Sequence, residues 1–128
     1  MVLIGTVGLI AATEQVDVKS KWVAPEAARA AVNPIPTSTD VQAEGLRLYK
    51  KNCLTCHGAK GKGDGPATQF IESSPTDIST PEAQSRMTDG EIFWKVTKGR
   101  NPMPSFEKKL SETERWKLVH YVRSLRAP

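Results

Sequence analysis

The apolar and small positions Val41, Gly45, Leu48 and Tyr49 recur at three- and four-residue intervals through "VQAEGLRLYKKN", which puts them on one face of a helix. Asp40, just before it, is the expected N-cap, and the helix runs straight into Cys53. A second helical pattern, "TDGEIFWKVTKG", opens with Thr88 and Glu91 at capping-box spacing and stops at Gly99, with Met87 and Ile92 where a hydrophobic staple needs them. The third, "SETERWKLVHYVRSLR", repeats the box with Ser111 and Glu114 and ends in Arg123 and Arg126, cations suited to a helix C-terminus. Its apolar stripe is Leu118, Tyr121, Val122 and Leu125. Trp116, His120 and Arg123 fall on another face, where an exposed Trp wants cover. No alternation long enough for a strand appears, so the pattern predicts an all-α domain with long loops. About 35 residues between the first two helices carry little periodicity, and a stretch of that length in a small domain needs a function or a ligand to wrap.

Ahead of these helices the pattern is different. Residues 2 to 12, "VLIGTVGLIAA", are an apolar run of about eleven, too short for a spanning helix of roughly 20. The run resembles the core of an export signal but lacks a basic start, since the first cation is Lys19; a truncated signal and a retained apolar segment both stay open. From Val16 to Thr39 the chain contains Pro and Ala, with a short helix expected over Pro25 to Val32 and extended chain enforced by Pro34 and Pro36. The expected organisation is an apolar signal-like or anchoring segment at 1–15, an arm at 16–39 and a compact domain at 40–128. Trp22 and Val23 of the arm are the expected cover for Trp116.

Composition sharpens the question of what fills the middle. The chain has 128 residues, enough for one core, but only 6% aromatics, nine glycines and nine prolines, so a protein-only core would be thin. A bound apolar cofactor would relieve the shortage. The net charge of +4 is spread along the chain without a basic block or an aromatic-rich basic stripe, which argues against nucleic acid as a partner.

The chemistry lies in "CLTCHG", residues 53 to 58. C-x-x-C serves redox pairs, zinc sites and haem attachment, and the adjoining His57 breaks the tie. Zinc would need a second cysteine pair or a pair of histidines, and the chain has two cysteines and two histidines in all. A thioredoxin-like pair would need a βαβ setting that the pattern does not supply. C-x-x-C-H instead suits two thioethers to a porphyrin, with the next side chain an imidazole that reaches the iron. The glycines at 58, 61, 63 and 65 let the following loop turn tightly beside such a ring. Met103, held between Pro102 and Pro104 in a loop, has no obvious packing reason; Met87 has its staple position, and His120 lies within the last helix on the side of Trp116.

"GLRLYKKNCLTCHGAKGKGDGPA", the loop "GRNPMPSF" and the final "ERWKLVHYVRSL", in that order, resemble the small monohaem class I c-type cytochromes of bacteria. The resemblance covers residues 41 to 127 and leaves the first 40 outside. It implies three main helices plus short ones and long loops wrapped around one covalently bound haem c. It further implies Cys53 and Cys56 as thioether donors, His57 and Met103 as axial iron ligands, and the Pro66 carbonyl as acceptor for the His57 imidazole. Gly45 and Tyr49 match the positions where the first helix crosses the last, and Leu118 and Tyr121 match the other side of that crossing.

A His and Met pair fills both open iron positions, so the expected activity is one-electron transfer between protein partners in a respiratory or photosynthetic chain, with no catalytic residue. Lys60, Lys62, Lys95, Lys98, Arg100, Lys108 and Lys109 near the expected cofactor could steer an acidic donor or acceptor. An electron-entry subunit fixed to a larger membrane redox complex through residues 1–40 is the alternative, and a gas-binding or peroxidatic protein a further one. In the resembling family the thioethers form after export, which implies the periplasm or the outer face of the cytoplasmic membrane.

Overall fold

The structure is a computed structural model, and it describes residues 22–128. The expected apolar segment at 1–15, and the first part of the arm with it, lie outside the described residues. Among those described there are six α-helices: α1 (Glu26–Ala30), α2 (Thr39–Asn52), α3 (Leu54–His57), α4 (Pro81–Arg86), α5 (Asp89–Lys98) and α6 (Glu112–Ser124). A 3-10 turn spans Pro66–Phe70, and no strand is present among the described residues. The three helices read from periodicity are α2, α5 and α6. The stretch between α2 and α5 is less bare than its pattern suggests, since it holds α3, the 3-10 turn and α4, each too short to show a period.

Side chains at the helix ends account for the boundaries. Ser38, not Asp40, caps α2: its hydroxyl accepts from Val41 N at 3.1 Å. Asp40 lies inside the first turn, where its charge faces the positive helix end without leaving the helix. At α6 the box closes both ways, Glu114 N donating to Ser111 Oγ (3.1 Å) and Ser111 N to Glu114 Oε2 (2.9 Å). At α5 only half of it forms. Thr88 Oγ1 accepts from Glu91 N, but the Glu91 carboxylate is buried and turned to Lys95 at 3.1 Å and Arg29 at 3.8 Å. Two cations outbid one backbone N–H for that carboxylate.

α2 crosses α6 at Gly45, and this crossing organises the core. A Cβ built on Gly45 would stand 2.7 Å from Lys117 O and 2.8 Å from Tyr121 Cβ, so only glycine allows the approach. Tyr49 and Tyr121 meet beside it with ring centroids 5.1 Å apart, and Leu48, Tyr49, Leu118 and Val119 are the most deeply buried side chains. α6 is buried more fully than its stripe indicates. Val119 and Trp116 join the core, while Tyr121 and Leu125 are only partly buried.

Trp116 is covered mainly by Phe93 of α5, stacked on it at 3.9 Å, rather than by Trp22 and Val23. The arm does reach this face, through other residues: Asn33 Nδ2 donates to Trp116 O at 3.0 Å, and His120 Nε2 lies 2.5 Å from Ile35 O. Val23 is exposed, and Trp22 packs on Trp94 at 6.3 Å. Arg123 takes no part in this cover, since it binds Asp89 (2.6 Å) and Gln84 O (2.6 Å) and so ties α6 to α4 and α5. Gly45→Ala is expected to cost about 1–3 kcal/mol by overpacking the crossing, read as a lowered urea midpoint of the haem-loaded protein; an unchanged midpoint would show that the crossing relaxes freely.

Candidate functional site

The motif is built on a break between two helices. Cys53 ends α2, its N–H donating to Tyr49 O (2.8 Å), and it also starts α3, its carbonyl accepting from His57 N (2.9 Å). One short helical turn thus carries both thiols and the imidazole. Tyr49, which the sequence assigns to the crossing alone, has a second job. Its buried hydroxyl donates to Gly58 O at 2.6 Å and fixes the residue after His57 to α2.

The glycine loop folds back on this turn. Gly63 N donates to His57 O (2.9 Å) and Gly65 N to Cys56 O (3.0 Å), which satisfies carbonyls that α3 is too short to pair. Gly65 is pressed so close that a Cβ there would meet the Leu54 and Thr55 carbonyls. Ile78 N donates to Gly61 O (2.8 Å) and closes the loop. Exposed lysines at 60 and 62 project from it.

Cys53 is buried and Cys56 half-buried, both as free thiols. Burial, with the neighbouring Cys56 second, pushes the Cys53 thiol up to about 12. Burial also pushes the His57 pKa down, which favours the neutral imidazole that can act as a metal ligand. His57 Nδ1 is buried with no hydrogen-bond partner. The expected bond to the Pro66 carbonyl is not made: Pro66 opens the 3-10 turn, and its carbonyl accepts from Gln69 Nε2 at 3.1 Å. A half-buried imidazole whose buried Nδ1 lacks a protein partner, two free thiols on the same turn and a glycine loop pressed against it fit a haem c held from this side.

Met103 comes from the segment after α5. α5 ends at Gly99, and the chain then makes a tight turn in which Arg100 N donates to Met103 O (3.0 Å) and Met103 N to Arg100 O (2.8 Å). The returning strand of chain is anchored under α5 by Ser105 Oγ to Thr97 O (2.6 Å) and Phe106 N to Val96 O (3.1 Å). Met103 is half-buried against the core, and so is Met87.

Arg115, unmarked in the sequence, is buried and donates to Leu110 O (2.6 Å) and Glu107 O (3.0 Å), with its guanidinium 5.2 Å from the Phe93 ring. It fixes the end of the Met103 segment to α6. An Arg beside a Trp on a helix reads as solvated, and only the closed loop shows otherwise. Among the described residues no three His, Cys, Asp or Glu side chains converge as a metal site.

The profile of the family described as "Cytochrome C oxidase, cbb3-type, subunit III" matches residues 40–122. The chain belongs to this family. It is a monohaem c-type cytochrome domain that carries one covalent haem c and transfers electrons. Cytochrome c6 of Anabaena variabilis is 33% identical over 78 residues, which is 61% of this chain and 84% of that protein. Among solved structures, a chain of the Kuenenia stuttgartiensis reducing HAO-like protein complex Kustc0457/Kustc0458 matches with TM-score 0.62 and 32% identity over 76% of this chain. The cytochrome spans half the length of that chain. The KustC0563 c-type cytochrome matches with TM-score 0.57 and 27% identity over 65% of this chain and 98% of its own.

In the cytochrome, Tyr49→Phe leaves Gly58 O buried without its donor. The expected cost is about 1–3 kcal/mol in unfolding free energy of the haem-loaded protein, and a loss under about 0.5 kcal/mol would show that Gly58 O finds water instead.

Proposed function

We propose that the protein is a His/Met-ligated one-electron carrier, in which Cys53 and Cys56 hold the haem, His57 supplies one axial ligand and Met103 the other. The observation that carries this reading is the half-buried, neutral-favouring His57, its Nδ1 buried and unpaired, on the same helical turn as both thiols; a methionine held in a backbone-locked turn after α5 supports the second ligand. When bound, the haem supplies an iron that cycles between ferric and ferrous. The chain's residues hold His57 and Met103 in one geometry for both states, keep water away and leave the iron no open position. An electron enters from one protein partner and leaves to another.

The basic surface narrows on inspection. Lys95 is paired with Glu91, Lys98 faces Glu107 at 3.7 Å and Arg100 stacks on Trp22. Lys60, Lys62, Lys108 and Lys109 stay exposed, and Lys51 joins Lys109 around a cleft of about 340 Å³ beside Leu48 and Leu110, which Glu114 and the Glu44-paired Arg47 also line. These cations favour an acidic partner, whose electron-transfer rate should fall as salt is added. The proposed location is the periplasm or the outer face of the cytoplasmic membrane. No helix among the described residues is long and apolar enough to cross a membrane.

A second reading is an electron-entry subunit of a larger redox complex. Its support is the match to the HAO-like complex, which extends over 76% of this chain against 65% for KustC0563. Size exclusion of native extract separates the two: a free carrier elutes near its own mass and a subunit with its complex.

For the ligand set, the test is the visible spectrum in both oxidation states with and without carbon monoxide. The expected result is the weak red-edge band of a Met-to-ferric-iron bond and a ferrous spectrum that carbon monoxide leaves unchanged. Met103→Ala is expected to abolish the band, admit carbon monoxide and lower the reduction potential. A wild type without the band that binds carbon monoxide at once would favour the gas-binding or peroxidatic reading.

A further inference from the structure

We propose that Trp22, in the arm ahead of the matched domain, is a positioning residue for Met103: it clamps the Arg100 guanidinium and so steadies the turn that carries the ligand. This rests on the reading of Met103 as an axial ligand.

The turn itself makes the coupling direct. Arg100 and Met103 exchange both of their backbone hydrogen bonds, so the two residues move as one unit, while Asn101 and Pro102 between them are exposed. The return of the chain is secured under α5 at Thr97 and Val96, but those bonds hold Ser105 and Phe106, beyond Met103. On the outward side the turn depends on what Arg100 can grip. Among the described residues the guanidinium makes no hydrogen bond and no ion pair, and its partner is the Trp22 ring, with Cζ 5.0 Å from the centroid. A cation over an indole face is attracted by the ring quadrupole.

Trp22 is in turn held firmly enough to act as a clamp. It packs on Trp94 of α5 with centroids 6.3 Å apart, and Lys95 Nζ lies 5.5 Å from its ring. Lys95 is fixed by the buried Glu91 at 3.1 Å, and Glu91 also meets Arg29 of the arm at 3.8 Å. Just behind, the arm backbone sits against Gly90, where a Cβ would collide with the Ala28 carbonyl and come within 2.7 Å of Ala31 O. A continuous chain of contacts therefore runs from Arg29 through Glu91, Lys95, Trp22 and Arg100 to Met103. The residues that grip Met103 from this side lie partly outside the family match, which begins at residue 40. The same arm thus contacts α6 through Asn33 and Ile35 and the turn after α5 through Trp22.

The test uses the full haem-loaded chain and added imidazole, which competes with a methionine for ferric iron. Trp22→Leu and Arg100→Gln are each expected to raise the apparent imidazole affinity about five-fold, about 1 kcal/mol, with loss of the red-edge band at correspondingly lower imidazole. The double variant should add little to either single one, because both remove the same contact. Trp22→Phe, which keeps an aromatic face, should restore most of the wild-type affinity. Urea stability measured alongside isolates a merely structural role, which would lower stability and leave imidazole affinity alone. If Trp22→Leu folds poorly, Arg100→Gln and Trp22→Phe still decide. Wild-type affinity in Trp22→Leu or Arg100→Gln overturns the clamp while the ligand reading stands; a wild type without the band overturns both.

Discussion

The close crossing of α2 over α6 at Gly45 is the constraint on which the site depends. With no side chain at that residue, the two helices approach until Gly45 touches the Lys117 carbonyl and Tyr121, and the Tyr49 and Tyr121 rings close the gap beside it. α2 then delivers the motif at its C-terminal end, in a fixed direction. Tyr49 reaches from the crossing to Gly58 and pins the far side of the motif to the same helix. The position of His57 is therefore set by a helix contact about three turns away, with very little slack in between.

The two halves of the site are held by different means. The motif half is stiffened by backbone hydrogen bonds from its own glycine loop, a local arrangement that α2 carries with it. The methionine half hangs from the C-terminal end of α5 and is secured by side chains of other elements: Arg115 from α6 holds its exit, and the arm stands at its entrance. Iron coordination would join these halves, which otherwise meet through the core cluster around Val96, Phe106 and Leu110. The unpaired His57 Nδ1 marks the motif half as arranged for a partner beyond its own chain contacts.

What could be read in the sequence is what local chemistry encodes. The caps at Thr88 and Ser111, the stop at Gly99 and the C-x-x-C-H turn each involve residues within a turn of one another, while the helix crossing at Gly45 came only through the family resemblance. The cap of α2 fell to Ser38 instead of the expected Asp40, because both residue types can cap and only the backbone shows which one leaves the helix. Glu91 and Trp116 were misplaced for another reason. Each takes its surroundings from a segment distant in sequence, so that a capping acid becomes a buried ion pair and an exposed Trp a core residue. Helical periodicity assigns faces to one helix at a time and is silent on how many neighbours surround it.

The seat of the arm on α5 illustrates a further property. At Gly90 the contact is made by the carbonyls of Ala28 and Ala31, main-chain atoms that every amino acid carries. Recognition there is by the contour of the short helix rather than by the identity of its side chains. At that contact the arm's side chains are free to present a different outer surface, while Arg29 and Trp22 tie it to α5 and the turn after it and Asn33 and Ile35 tie it to α6. The arm is thus a facing seated on main-chain shape, able to change what the cytochrome displays to its surroundings without rebuilding the domain it covers.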